Sequence, residues 1–166
     1  MNQEFLQARE LAELEQFKSY LAKMGLQSVL TPASGGNPVS QLTIQSAGPF
    51  RLQAMFIPLA ADTFSKVSLL QFFSLLRDGI DPADPSLLTL VNKANEKTPL
   101  GDFLVNGDRE LVFKYVLAKS KTEMMDETFF TELLSSLVPA MEAHAGVLDR
   151  FAKGETSLSD ALKELD

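Results

Sequence analysis

Leu14, Phe17, Leu21 and Met24 recur three or four residues apart, so they form one stripe on a helix running from about Glu4 to Met24. Glu4, Glu10, Glu13 and Glu15 lie in its first half and Lys18 and Lys23 in its second, the order that complements the helix dipole. Gly25 stops the helix as a C′ residue. A brief strand over Gln27–Leu30 follows. The period then changes to two. Leu42 and Ile44 alternate with Gln41, Thr43 and Gln45, and Leu52, Ala54 and Phe56 share one side of Arg51–Ile57. Pro32–Pro38 is a loop by composition, and Ala47-Gly48-Pro49 is a turn. Val67–Leu76 is apolar on both sides, with Leu69, Phe73 and Leu75 on one and Leu70, Phe72 and Leu76 on the other. A run this short fits either helix or strand. Asp78-Gly79 at its end, with a helix signal just beyond, favours a strand.

That helix signal is Asp84-Pro85, an N-cap followed by proline at N1. Leu87, Leu88, Leu90 and Val91 form its apolar stripe, and Pro99 ends it before Gly101. Phe103-Leu104-Val105, Asn106-Gly107 and Glu110–Leu117 then read as a hairpin, since Asn-Gly is the preferred pair for a type I′ turn. A two-residue loop pairs Val105 with Asp108. It places Leu104, Leu111, Phe113, Tyr115 and Leu117 on one face and Phe103, Val105, Val112 and Val116 on the other. Asp126 caps a long helix carrying Phe130, Leu134, Leu137, Met141, Ala145 and Leu148, which Pro139 should kink or split. Gly154 breaks it. Ser157 and Asp160 start a last short helix with Leu158, Ala161, Leu162 and Leu165. There is no internal repeat or domain boundary, so residues 1–166 read as a single α+β domain. Its expected architecture is an antiparallel sheet of about five strands flanked by an N-terminal helix, a middle helix and a long C-terminal helix. The N-terminal and long C-terminal helices should share one sheet face.

Composition narrows the function classes. A chain of 166 residues is long enough for a real core. Its net charge of -7 repels phosphate backbones, and no basic cluster or aromatic platform offsets it, so nucleic acid is not an expected partner. There is no cysteine, hence no disulfide or thiolate chemistry. Met1-Asn2-Gln3-Glu4 lacks the basic and apolar regions of a signal peptide. The apolar runs near Phe50–Ala61 and Val67–Leu76 are too short to span a bilayer, so no membrane partner and a cytoplasmic location are expected.

Candidate chemistry is sparse. His144 is the only histidine and has no cysteine to join it, so no metal site is expected and the residue should be dispensable. Asp78, Asp81 and Asp84 are spaced too widely for a calcium loop and serve as turn and cap residues. Gly35-Gly36-Asn37 lacks the Gly-Lys-Ser/Thr of a phosphate-binding loop. Glu123, Asp126 and Glu127 cluster at a helix start, where the dipole accounts for them. Asn92 and Asn95 lie one turn apart near the end of the middle helix. Their amides suit either hydrogen bonds to the following strand or a small ligand. No catalytic residue and no cofactor is expected.

Leu90-Val91-Asn92-Lys93-Ala94-Asn95, Gly101-Asp102-Phe103 and Leu111-Val112-Phe113-Lys114-Tyr115 resemble the core motif of YbjN-like proteins, whose members carry the label of bacterial sensory transduction regulators. The match covers mainly Leu87–Leu117. The order of elements around it is similar to that of type III secretion chaperones. The resemblance implies an α+β fold of that kind, a homodimer, and binding of extended client segments. It implies no catalytic residue. The expected function is therefore a non-enzymatic, cytoplasmic protein-interaction module, dimeric and chaperone-like or regulatory. The alternative is a small-ligand sensor or enzyme with a site near Asn92 and Asn95. The expected dimer or client surface is the sheet face with Leu70, Phe72, Leu76, Val112 and Val116, because one layer of helices covers only one face. The competing expectation is that the Pro32–Pro38 loop or the last helix folds over that face.

Overall fold

A computed structural model describes residues 3–58 and 66–166. Met1-Asn2 and the end of the Phe50–Ala61 apolar run lie outside the described residues. The elements run α1 (Gln3–Lys23), β1 (Gln27–Thr31), β2 (Gln41–Gln45), β3 (Arg51–Phe56), β4 (Val67–Arg77), α2 (Pro85–Lys97), β5 (Asp102–Val105), β6 (Leu111–Ser120), α3 (Glu127–Ala152) and α4 (Leu158–Leu165). This is an α+β protein with a six-stranded antiparallel sheet in the order β1-β2-β3-β4-β6-β5. The sheet has one strand more than expected. Two compact units divide the chain, Met1–Phe72 with Val116–Ser135, and Phe73–Tyr115 with Ser136–Asp166.

In the first unit, α1 ends as its sequence dictates. Gly25 has φ +76, its N–H donates to the Ala22 carbonyl, and Leu26 N–H donates to the Leu21 carbonyl. Those two bonds form a Schellman cap and satisfy carbonyls that the helix end would leave open. The stripe of α1 buries Leu14, Phe17, Tyr20 and Leu21. Phe17 stacks on Phe130 of α3 with ring centroids 4.3 Å apart, and Tyr20 lies 5.9 Å from the same ring. β2 pairs with β3 so that Leu42 faces Ala54 and Ile44 faces Leu52, all fully buried. Alternation thus sends one set of side chains into the core and leaves Thr43, Gln53 and Met55 on the other side. In the 32–38 loop, Ser34 and Asn37 exchange both backbone hydrogen bonds around Gly35-Gly36, a minimal hairpin.

In the second unit, Asp84 caps α2 through a 2.9 Å bond from Ser86 N–H, with Pro85 behind it. α2 buries Leu87, Leu90, Val91 and Ala94, whereas Leu88 is exposed, so the stripe is narrower than expected. α4 packs beside α2, where Lys93 and Lys97 reach Asp166. Arg77 and Lys153 both bond the buried carboxylate of Asp149, at 2.5 and 2.8 Å. Ser157 caps α4. α3 is a single helix in spite of Pro139, so of the kink or split expected there the split is absent. Its residues Phe130, Leu134, Leu137, Met141, Ala145 and Leu148 are all buried, as their spacing implied.

The hairpin departs from expectation. Val105 faces Leu111 and Phe103 faces Phe113, so the loop has an odd number of residues and Phe103, Val105, Leu111 and Phe113 share a face. The cause is the side chain of Asn106. Its Oδ1 accepts from Asp108 N–H and Glu110 N–H at 3.0 Å each, and its Nδ2 donates to Glu110 Oε2 at 2.6 Å. The turn closes through Arg109 N–H to the Asn106 carbonyl and Asn106 N–H to the Glu110 carbonyl. Arg109 takes the left-handed conformation, φ +64, that such a turn needs and glycine usually supplies. Bonds to the neighbouring loop hold it there. Its guanidinium donates to the carbonyl of Ile80 at 3.0 Å, and its own carbonyl accepts from Ile80 N–H. A three-residue loop stabilised from outside thus prevails over the two-residue turn that Asn-Gly prefers by itself.

Candidate functional site

The residues expected to form an association face occupy different places. Leu70 and Phe72 are wholly buried, and Leu76 and Val112 nearly so. On β4, Ser68, Leu70, Phe72, Ser74 and Leu76 form the core side, and Leu69, Gln71, Phe73 and Leu75 the outer side. Both sides are apolar, but the assignment is the reverse of the expected one. Leu75, 45% exposed, is the outward residue. On β6, Val112 pairs with Leu104 rather than sharing a side with Phe103, and Val116 is 37% exposed. Of the five expected surface residues, only Val116 is open to solvent.

The two amides separate as well. Asn95 Nδ2 donates to the Phe103 carbonyl at 2.8 Å, and its Oδ1 accepts from Phe103 N–H at 2.7 Å. One side chain therefore imitates a neighbouring strand for β5, which has β6 on its other side. With both functions engaged, Asn95 acts structurally. Asn92 is exposed on α2. His144 is half-buried beside the edge of Phe103, at 6.4 Å between ring centroids. Burial, with a smaller effect of Lys97, pushes its pKa down, so the neutral imidazole is favoured. Among the described residues, no three histidine, aspartate or glutamate side chains converge as a metal cluster. No described helix is long and apolar enough to cross a membrane.

A concave site lies in the first unit and involves residues first read as simple dipole charges. A cavity of about 80 Å³ is lined by Leu6, Gln7, Glu10 and Leu14 of α1, by Ala33 and Pro38–Ser40, and by Phe56, Ile57, Pro58, Val67, Ser68 and Lys121. Beside it, Glu13 is 2% exposed. Its Oε2 accepts from Lys119 Nζ at 2.9 Å and its Oε1 from Met125 N–H at 2.9 Å. Lys119 also donates to the carbonyls of Ser120 and Glu123 and lies over the Phe56 ring. The pair is thus buried with each Glu13 oxygen and all three Lys119 donors engaged. Glu10, one turn earlier, is half-buried with its carboxyl pushed up to about 7. Burial is the main cause and Glu13 adds to it, while Lys121 and Lys119 oppose. A carboxyl poised there changes protonation in the neutral range.

One sequence signal pointed to this site. Counting back from Leu21, Phe17 and Leu14 at helical spacing places Glu13 and Glu10 on the buried stripe, where apolar residues belong. Lys119 and Lys121 gave no comparable signal, because only the fold brings them to α1. A second, shallower groove of about 230 Å³ runs along Leu117–Ser120 and Glu123–Asp126, with Phe129 and Met124 beside it. Phe129 and Met124 are 46% and 43% exposed. Neither a protein-family model nor a curated protein matches the chain.

Proposed function

We propose that this protein is a non-enzymatic protein-interaction module of the YbjN-like kind, working in the cytoplasm as a homodimer with a chaperone-like or regulatory role. One observation carries the reading. In β1, β4 and β6 a large apolar side chain is exposed: Val29 at 64%, Leu75 at 45% and Val116 at 37%. Leu75 lies opposite the core-facing side of its own strand, and Val116 opposite the side that carries Leu111 and Phe113. Apolar groups of this size on a sheet surface favour burial against a partner, at roughly 25 cal/mol per Å² before association costs. The α+β layout and the net charge of -7 fit a protein partner better than a nucleic acid. The reading of Asn92 and Asn95 as a ligand or catalytic site loses support, because the Asn95 amide is spent on the Phe103 backbone.

The test is the double variant Leu75→Asp, Val116→Asp. Light scattering after gel filtration should give a dimer for the wild type and a monomer for the variant, with little change in the thermal melt. A wild type that stays monomeric at high concentration overturns the reading.

A further inference from the structure

We propose that Asn106 is a site of spontaneous self-modification: the native turn directs the backbone nitrogen of Gly107 onto the Asn106 side-chain amide, which loses ammonia and becomes an acid. This goes beyond the interaction role and does not depend on it. Asn-Gly suits a two-residue type I′ turn, but that is not the turn formed. In the three-residue loop Arg109 holds the left-handed position, and Gly107 is not left-handed. A Cβ added at Gly107 would meet nothing within 4 Å. The fold therefore does not require glycine at this position, and its effect there is chemical: it leaves the backbone nitrogen open to close approach. Gly107 is exposed, and among the described residues its N–H has no hydrogen-bond partner.

The side-chain amide is set up as the electrophile. Asn106 Oδ1 accepts from the N–H of Asp108 and of Glu110 at 3.0 Å each. The bond to Asp108 folds the side chain back over the intervening Gly107 peptide, as in an Asx turn. Two N–H donors on one carbonyl oxygen also stabilise the negative charge which that oxygen takes when its carbon is attacked. Glu110 Oε2 accepts from Nδ2 at 2.6 Å and fixes which end of the amide faces those donors. Water is the only co-reactant. The Gly107 nitrogen gives its proton to water and bonds Asn106 Cγ, and Oδ1 takes up the charge. The Cγ–Nδ2 bond then breaks, and Nδ2 leaves as ammonia with a proton from water. A further water opens the cyclic imide at either carbonyl, leaving an aspartate or an isoaspartate at position 106. That acid has lost the donor to Glu110 and sets a second carboxylate against it, so the turn loosens.

The probe is the full chain incubated at 37 °C and pH 7.4, digested with trypsin, and followed by the mass of peptide 98–109 and by ammonia release. A synthetic 98–109 peptide under the same conditions gives the rate without the fold. The native chain should convert about tenfold faster, since one donor aimed at a developing oxyanion is worth about 100-fold in an enzyme and less in an exposed turn. Gly107→Ala should keep the wild-type thermal melt and lose about tenfold in rate, because a methyl group crowds the attacking nitrogen. The proposal is overturned by a native chain that does not convert, by one that converts no faster than the peptide, or by Gly107→Ala converting as fast as the wild type. Should Gly107→Ala not fold, the native and peptide rates decide: a faster chain supports the site, and an equal or slower one sinks it.

Discussion

A methyl group at Gly101 has no room. A Cβ there would stand 2.4 Å from Phe113 Cζ, and the backbone already has φ +77. Gly154 has nearly the same φ, +75, but open space around it. The comparison separates backbone strain from collision. Gly154→Ala should cost about 1 kcal/mol, the left-handed penalty alone. Gly101→Ala should cost about 2–4 kcal/mol, because overpacking adds to it. Urea melts of the two variants measure the difference, and equal costs would show that Phe113 moves aside freely. Glu10 supplies the other prediction at this scale. An unfolded carboxyl ionises near 4.5 and the folded one near 7, so between those values the folded chain holds more protons. Stability should therefore fall as pH rises across that window and level off above it. With a discount for a half-exposed group, the loss is on the order of 1–2 kcal/mol. Glu10→Gln should flatten the slope and be the more stable protein at pH 8, read by melts from pH 4 to 8.

Elements were legible where a local signal and the tertiary fold agree. Gly25 and Gly154 end helices in Schellman caps, and Asp84-Pro85 and Ser157 start them, because each motif satisfies its own helix end. What could not be read was decided by distant groups. The register of β5 and β6 depends on Arg109 reaching Ile80, 29 residues away in sequence. The inward side of β4 could not be chosen from its sequence, since both sides are apolar and burial depends on where the helices lie. The Glu10 cavity was hidden because Lys121 reaches it only in the folded chain. Asn95→Ala tests one such element-level contact. It removes both bonds that hold Phe103 and should destabilise by about 2–3 kcal/mol while leaving helix content unchanged by circular dichroism. Glu13→Ala strands the Lys119 ammonium in a buried site and should cost about 3–5 kcal/mol. Glu13→Leu combined with Lys119→Met should recover much of that in the same melts, since replacing both charges removes the unpaired one.

For the molecule as a whole, Phe72 is a core residue, wholly buried, and not a contact for a partner. Phe72→Asp should unfold the protein, seen as loss of the cooperative melt, whereas Leu75→Asp on the outer side of the same strand should leave it intact. The pairing of Glu13 with Lys119 has a further consequence in time. The two lie 106 residues apart in sequence, and Phe130, on which Phe17 stacks, is more distant still. A ribosome adds about 5–20 residues per second, so α1 waits roughly 5–20 s for Lys119 and Phe130, although β1, β2 and β3, which it also contacts, are made soon after it. During that interval Glu13 lacks its ammonium partner and Phe17 its stacking ring. The earliest helix made in this unit is thus completed late, and the nascent chain stays open to chaperones and proteases around Glu13 and Phe17.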